Sequence, residues 1–267
     1  MLVFMTKAIR TLFSMVFVAV LLFPAGGCRE QIPQMLYEIK IYDVSGPGQA
    51  ERTERYISGA LKPVLRRSGI EGVGVFKPLE SDTAASGKYI YVFIPYETAD
   101  KYFSMKVVLE KDADYQKRGS DFLNAPHDNP PFQRYESILL KAFAGMPRFS
   151  TPSFATDRSE RVYELRSYES ATEYKAGKKI DMFNNEEIAL FEKLGFNAVF
   201  YGQVLAGSHM PNLMYMTTFQ NMKTHDEKWE EFRNDPDWIR MRDKEEYRNT
   251  VSRNTQYLLY PLSCSDF

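Results

Sequence analysis

The chain has 267 residues, 44% of them hydrophobic and 26% charged, with 34 Lys and Arg against 35 Asp and Glu and only two cysteines. Those values exclude a disordered chain, a disulfide scaffold and a multi-pass membrane protein. A net charge of −1 also removes the basic surface with which a general nucleic-acid binder displaces counterions from phosphates, so no nucleic-acid partner is expected.

The first segment differs from everything after it. Met1 to Arg10 carries Lys7 and Arg10 and no acid, Thr11 to Phe23 is almost wholly apolar, and Pro24-Ala25-Gly26-Gly27 leads into Cys28. A basic start, a short apolar run and small residues before a cleavage point are the parts of a secretory signal. The apolar run falls short of the roughly 20 residues that cross a ~30 Å hydrocarbon core. Ala25-Gly26-Gly27-Cys28 resembles the lipobox of bacterial lipoproteins, with Ala25 where Leu is commonest. That resemblance implies a signal peptide over 1–27, lipid on Cys28, a tether over 28–34 and a body anchored to a membrane. Arg29 stands where a retention signal would carry Asp. The expected location is therefore exported, as a periplasm-facing or outer-membrane lipoprotein of a Gram-negative bacterium.

Lipidation would consume Cys28 and leave Cys264 without a partner in the chain. The remaining 240 residues, with 32 basic and 35 acidic side chains, must then stand on their core, and they are numerous enough to do so.

The body contains an internal duplication. Leu36-Tyr37-Glu38-Ile39-Lys40-Ile41-Tyr42 matches Val162-Tyr163-Glu164-Leu165-Arg166-Ser167-Tyr168 at an offset of 126. The same offset pairs Gly69 with Gly195, Val73 with Val199, Tyr89 with Tyr215, Phe93 with Phe219 and Asp100 with Asp226, which predicts one ungapped register over some 65 positions.

Each copy opens on a segment of alternating character, as a strand does. Next comes a helical period: Ile180, Phe183, Ile188, Phe191 and Leu194 are spaced by charged residues, and Gly195 is a C-terminal stop. Two strands follow, at 72–79 and 89–95 in one copy and at 198–205 and 213–219 in the other. A second helix is opened by Thr98-Ala99-Asp100 or Thr224-His225-Asp226, with Phe103 aligned to Trp229. The copies close on strands at 135–143 and 255–262. The order β-α-β-β-α-β is ferredoxin-like. One unit is expected over 35–146, a linker over 147–158 and the second unit over 159–267. The run from Asn124 to Pro131 reads as a loop peculiar to the first copy, and loops of that length are functional or floppy.

These residues resemble a known family. The second copy, with Val162-Tyr163-Glu164-Leu165-Arg166-Ser167-Tyr168, Leu190-Phe191-Glu192-Lys193-Leu194-Gly195, Pro211-Asn212-Leu213-Met214-Tyr215-Met216, and Trp229 and Phe232 ahead of Asp235-Pro236-Asp237-Trp238, resembles a NIPSNAP domain. The first copy resembles it as a diverged relative. The resemblance implies an α+β fold in which the tandem repeats form a dimeric α/β-barrel within one chain. It implies a fold more than a reaction. Relatives of that barrel include heme-degrading and cofactor-free oxygenases, so the resemblance leaves open a monooxygenase or isomerase and makes heme the one cofactor to consider.

If Tyr163 and Leu165 pack against helices, Glu164, Arg166 and Tyr168 point into the space between the sheets, with Glu38, Lys40 and Tyr42 as repeat partners. Buried charges are costly unless they serve each other or a ligand. The six either line a pocket for a small anionic or carbonyl-bearing ligand or pair among themselves as a structural seam. His209, in Gly207-Ser208-His209-Met210-Pro211, joins the candidates at the barrel mouth, with His225 beside it. His127 lies in the Pro-rich loop. No two histidines have metal-ligand spacing, and no phosphate loop, HExxH, GxSxG or paired-cysteine motif is present, so no metal is expected. A small molecule, a protein or a second copy of the chain remain as partners.

Overall fold

A computed structural model describes Ile32–Phe267. The expected signal peptide, Cys28 and most of the tether lie outside the described residues. Among the described residues no helix is long and apolar enough to cross a membrane.

The first repeat runs β1 (Leu36–Asp43), α1 (49–67), β2 (Gly74–Pro78), β3 (Tyr89–Tyr96), α2 (Ala99–Lys111), the short α3 (Ala113–Arg118) and α4 (Ser120–Leu123), then β4 (Arg134–Ala142). The second runs β5 (Val162–Glu169), α5 (173–193), β6 (Asn197–Ala206), β7 (Asn212–Phe219), α6 (Met222–Asn234), α7 (Pro236–Arg242) and β8 (Arg253–Pro261). The eight strands close in the order β1-β3-β2-β8-β5-β7-β6-β4, with every ladder antiparallel. Each repeat supplies a four-stranded sheet, and β2 on β8 and β4 on β6 join the sheets into one barrel within the chain. Closure leaves no free sheet edge.

The repeats match in local detail. Both long helices widen to π geometry at equivalent places, Ile57–Leu61 in α1 and Phe183–Glu187 in α5. Both end on a left-handed glycine, Gly69 at φ 74° and Gly195 at φ 73°, which a side chain would disfavour.

The structure corrects four expectations. First, the strand faces are reversed. Tyr37, Ile39, Tyr163 and Leu165 point into the barrel, where they pack with Phe93, Leu140, Phe200, Met216 and Leu259. The alternate residues, including Glu38, Lys40, Tyr42, Glu164, Arg166 and Tyr168, lie on the outer faces beneath the helices. The reason is closure: a barrel too narrow for water must fill its interior with apolar groups, each buried Phe or Leu contributing about 1.5–3 kcal/mol. Phe149 from the linker packs on Phe93, and Phe267 packs on Phe76 and Tyr163, so one end of the interior is plugged with aromatics.

Second, the offset of 126 does not persist. Leu36 pairs with Tyr96 and Val162 with Phe219, so β3 and β7 correspond at an offset of 123, the second repeat having a connector three residues shorter. An odd slip exchanges faces: Phe93 points inward and Phe219 outward. Phe103 therefore does not correspond to Trp229; it is 68% exposed, whereas Trp229 is buried.

Third, α6 is capped by Asn221, whose Oδ1 accepts from the Thr224 backbone N–H at 2.9 Å, ahead of the Thr224-His225-Asp226 run. The expected cap in the first copy holds, since Thr98 Oγ1 accepts from the Lys101 N–H. Fourth, the 124–131 loop is pinned to α1: Gln49, Arg52 and Thr53 donate to the carbonyls of Pro130, Asn129 and Pro131.

Candidate functional site

The seven residues named from the sequence fall into three places. Glu38, Lys40 and Tyr42 lie under the helices of the first repeat. Glu164, Arg166 and Tyr168 lie under those of the second. His209 stands apart at one end of the barrel, 3.6 Å from the Glu169 carboxylate. The structure does not bring them into one pocket.

In the second repeat β5 presents Glu164 and Arg166 two residues apart on one face. Arg166 Nε and Nη2 both reach Glu164 Oε1, at 2.8 and 2.7 Å. The other carboxylate oxygen accepts from Trp229 Nε1 at 2.6 Å and lies 3.4 Å from His225 Nε2. Both of these partners come from α6, one turn apart, so a single helical face covers the carboxylate. The Arg166 guanidinium lies over the Trp229 ring at 3.7 Å, a stacked cation–π contact suited to a planar group. Tyr168 accepts from Arg166 Nη1 at 3.3 Å and shares a hydrogen bond with Tyr215.

The electrostatics follow from this geometry. Burial pushes the Glu164 carboxyl upward, but His225 and Arg166 more than offset it and hold the carboxyl below the usual range. Burial pushes the His225 imidazole downward, and the Glu164 and Asp226 carboxylates outweigh that and raise it. A second buried ion pair, Lys179 Nζ to Glu187 Oε2 at 2.7 Å, spans the π turn of α5, with the ammonium over the Phe183 ring.

Beside these groups opens a cleft of about 490 Å³. Arg166, His225, Trp229, Trp238, Asn254 and Gln256 are among its walls. The wall also carries Arg233 and the carboxylates of Glu187, Asp226 and Glu230, so it combines an aromatic surface, two guanidiniums, amide groups and acidic groups around a ligand-sized space.

The sequence places His225 at a helix start and names it with His209 at the barrel mouth, and it gives Trp229 and Trp238 no role in a site; the structure sets His225 and Trp229 against Glu164 instead. The available signal was Glu164 in the middle of a strand, because a buried carboxylate requires donors from whatever lies above it.

In the first repeat the same strand motif has other partners, and Glu38 and Lys40 line a groove of about 360 Å³ together with Tyr96, Tyr102, Phe103 and Met105. Glu38 accepts from Lys40 Nζ at 2.5 Å, Ser137 Oγ at 2.6 Å and the Tyr96 hydroxyl at 3.0 Å. Tyr42 is packed against Phe122, Phe132 and Tyr135. Tyr135 pairs with Tyr42 as Asn254 pairs with Tyr168, so an aromatic covers in one repeat the position that a small amide leaves open in the other.

Heme does not fit the residues of this cleft. An axial ligand needs an imidazole nitrogen with a free lone pair. Both ring nitrogens of His225 face carboxylates, Glu164 at 3.4 Å and Asp226 at 2.8 Å. Among the described residues no group of three or more His, Cys, Asp or Glu is placed to hold a metal ion.

Comparison with known proteins agrees with the architecture. Residues 163–266 match the NIPSNAP family model. A proposed monooxygenase from Fusobacterium nucleatum has the same fold at a TM-score of 0.56 and 9% identity, covering 86% of this chain and 94% of that one. One from Lactobacillus acidophilus gives 0.54 and 10%, covering 85% and 94%. A NIPSNAP family protein from Agrobacterium tumefaciens aligns with 44% of this chain and 97% of its own, at 16% identity and a TM-score of 0.37. No curated protein matches the sequence.

Proposed function

We propose, from the premise that the second repeat is a NIPSNAP-family domain, that this protein binds a small molecule bearing a carboxylate or carbonyl group in the cleft beside Arg166. The observation that carries the reading is the guanidinium of Arg166. It is anchored from behind by Glu164, stacked on Trp229, and forms part of the wall of a ligand-sized cleft. A planar cation whose rotamers are already restrained loses little entropy on engaging an acceptor, which favours binding. The aromatic walls suit an apolar or planar remainder of the ligand.

The test is a ligand screen by thermal shift with Arg166→Lys as control. Lysine keeps a charge for Glu164 but lacks the plane and the fork of donors. The variant is expected to fold and to lose most of the ligand-induced shift. A screen in which carboxylates and carbonyl compounds never shift the wild type, or shift both proteins equally, would remove the reading.

A second reading, catalysis by a cofactor-free monooxygenase or isomerase, is favoured by the His225–Glu164 pair at the edge of the cleft, where an imidazole could pass a proton. Product formation by the wild type and its loss in His225→Gln, with ligand binding retained, separates catalysis from binding.

The N-terminal sequence supports the rest of the proposal. The body is exported and held at a membrane by lipid on Cys28, facing the periplasm of a Gram-negative cell. Cys28→Ala is expected to move the protein from the membrane fraction to the soluble one. Unchanged fractionation would exclude the anchor.

A further inference from the structure

The barrel end away from Phe149 and Phe267 is open. A recess of about 350 Å³ is formed there by inward-facing residues of both sheets, Ile41, Tyr89, Tyr91, Ser167, Asn212 and Tyr257, together with the β2–β3 and β6–β7 connectors. Its walls carry two carboxylates, Asp82 and Glu136, one imidazole, His209, and no lysine or arginine. Three tyrosines line it in sequence: Tyr89 and Tyr91 have ring centroids 6.4 Å apart, and Tyr91 and Tyr257 are 5.6 Å apart.

One polar atom here lacks a partner. Asn212 is 3% exposed, its Nδ2 donates to Ser167 Oγ at 2.8 Å, and its Oδ1 is buried without a hydrogen bond. A buried acceptor left unmatched costs about 1–3 kcal/mol, and strand alternation turns this side chain into the recess together with Met214. The carboxylates are not grouped as metal ligands. Asp82 Oδ1 accepts from the backbone N–H groups of Ala84 and Ala85, and Glu136 accepts from Ser208 Oγ.

Each feature selects the same chemistry. Tyrosine faces attract a diffuse positive charge, two carboxylates give the recess a negative field, and Asn212 Oδ1 accepts from an O–H or N–H. The space is larger than a metal ion needs. We propose that the barrel mouth is a binding site for a small organic cation, a quaternary ammonium or alkylamine carrying a hydroxyl or amino donor. This site shares only Gln256 with the Arg166 cleft, and unlike that cleft it has no guanidinium in its wall.

The experiment titrates the purified protein with choline and with its uncharged carbon isostere, and follows binding by the tyrosine ring resonances and by calorimetry. Choline is expected to saturate and the isostere to bind at least about fivefold more weakly, as loss of a cation–π contact implies. Glu136→Gln and Asp82→Asn each remove one charge at a residue that is not buried, and each is expected to weaken choline about fivefold, the size of one solvent-screened charge contact. Arg166→Lys is expected to leave choline binding unchanged, so failure at this site is distinguishable from failure at the other cleft. Equal binding of choline and the isostere overturns the proposal. So does the absence of saturation at tens of millimolar choline, or indifference to both charge-removing substitutions.

Discussion

Beneath the helices of the first repeat, Glu38 is satisfied by its own sheet: Lys40, Ser137 and Tyr96 are all strand residues. Beneath those of the second, Glu164 gives one oxygen to a strand arginine and turns the other to α6. The backbone programme is the same, down to the π turn and the left-handed glycine. The change lies in what covers the strand. An ammonium and two hydroxyls from strands hold the first carboxylate beside a groove walled by Tyr102, Phe103 and Met105, whereas an indole and an imidazole from a helix hold the second beside a cleft that carries a guanidinium. A duplicated fold can thus give the same buried ion pair two settings, an apolar-walled groove in one repeat and a cleft with a guanidinium and an indole in the other.

The largest test of that contrast is Glu164→Ala. It strands Arg166 and the Trp229 N–H in a buried site, so a loss of about 3–5 kcal/mol is expected in chemical denaturation. Glu38→Ala, where hydroxyl partners can turn to other acceptors, is expected to cost about 1–3 kcal/mol. Equal losses would erase the distinction between the repeats. Next in size is Trp229→Phe, which keeps the apolar bulk and removes one donor to a charged acceptor, for about 1.5–3 kcal/mol. The first repeat offers no equivalent, since Lys106 occupies that place.

The pH dependence sharpens the comparison further. The folded His225 imidazole is raised, so its stabilisation is complete below the unfolded imidazole's ordinary value of about 6.5 and is lost as pH rises through the raised folded value. The Glu164 carboxyl is lowered, so its contribution is present above about 4.5 and is lost as pH falls through the depressed value. His225→Gln is expected to abolish the alkaline-side loss and to shrink the acid-side one, leaving the part that Arg166 maintains. A wild-type stability profile that is flat across the imidazole range would contradict the pairing. The smallest expected stability effect is that of Asn254→Tyr, at an exposed position, within about 0.5 kcal/mol. It should nevertheless narrow the Arg166 cleft, whose wall includes Asn254.

Much of the architecture was legible in the sequence because periodicity and punctuation are local. The alternation of β1 and β5, the helical spacing up to Gly195 and the repeat itself all correspond to observed elements. The facing of the strands was not legible. Alternation separates two faces without saying which is interior, and in a closed barrel the apolar face lies inside while charged residues lie under helices. Register failed for a related reason: Tyr89 with Tyr215 and Phe93 with Phe219 are matches between opposite faces, admitted by a slip of three residues in a connector. Sequence found Glu164, Arg166 and Tyr168 from their place in the strand. It named His225 without its place beside Glu164 and missed Trp229 and Asn254, since which residues come to lie around a given strand residue depends on tertiary docking.

The central claim is that the cleft beside Arg166 in the second repeat holds a ligand. Native mass spectrometry of the purified wild type beside Asn254→Tyr tests it most directly. The account predicts a small-molecule adduct on the wild type that is lost in the variant while the fold persists. An adduct retained equally by both, or absent from the wild type, would contradict it.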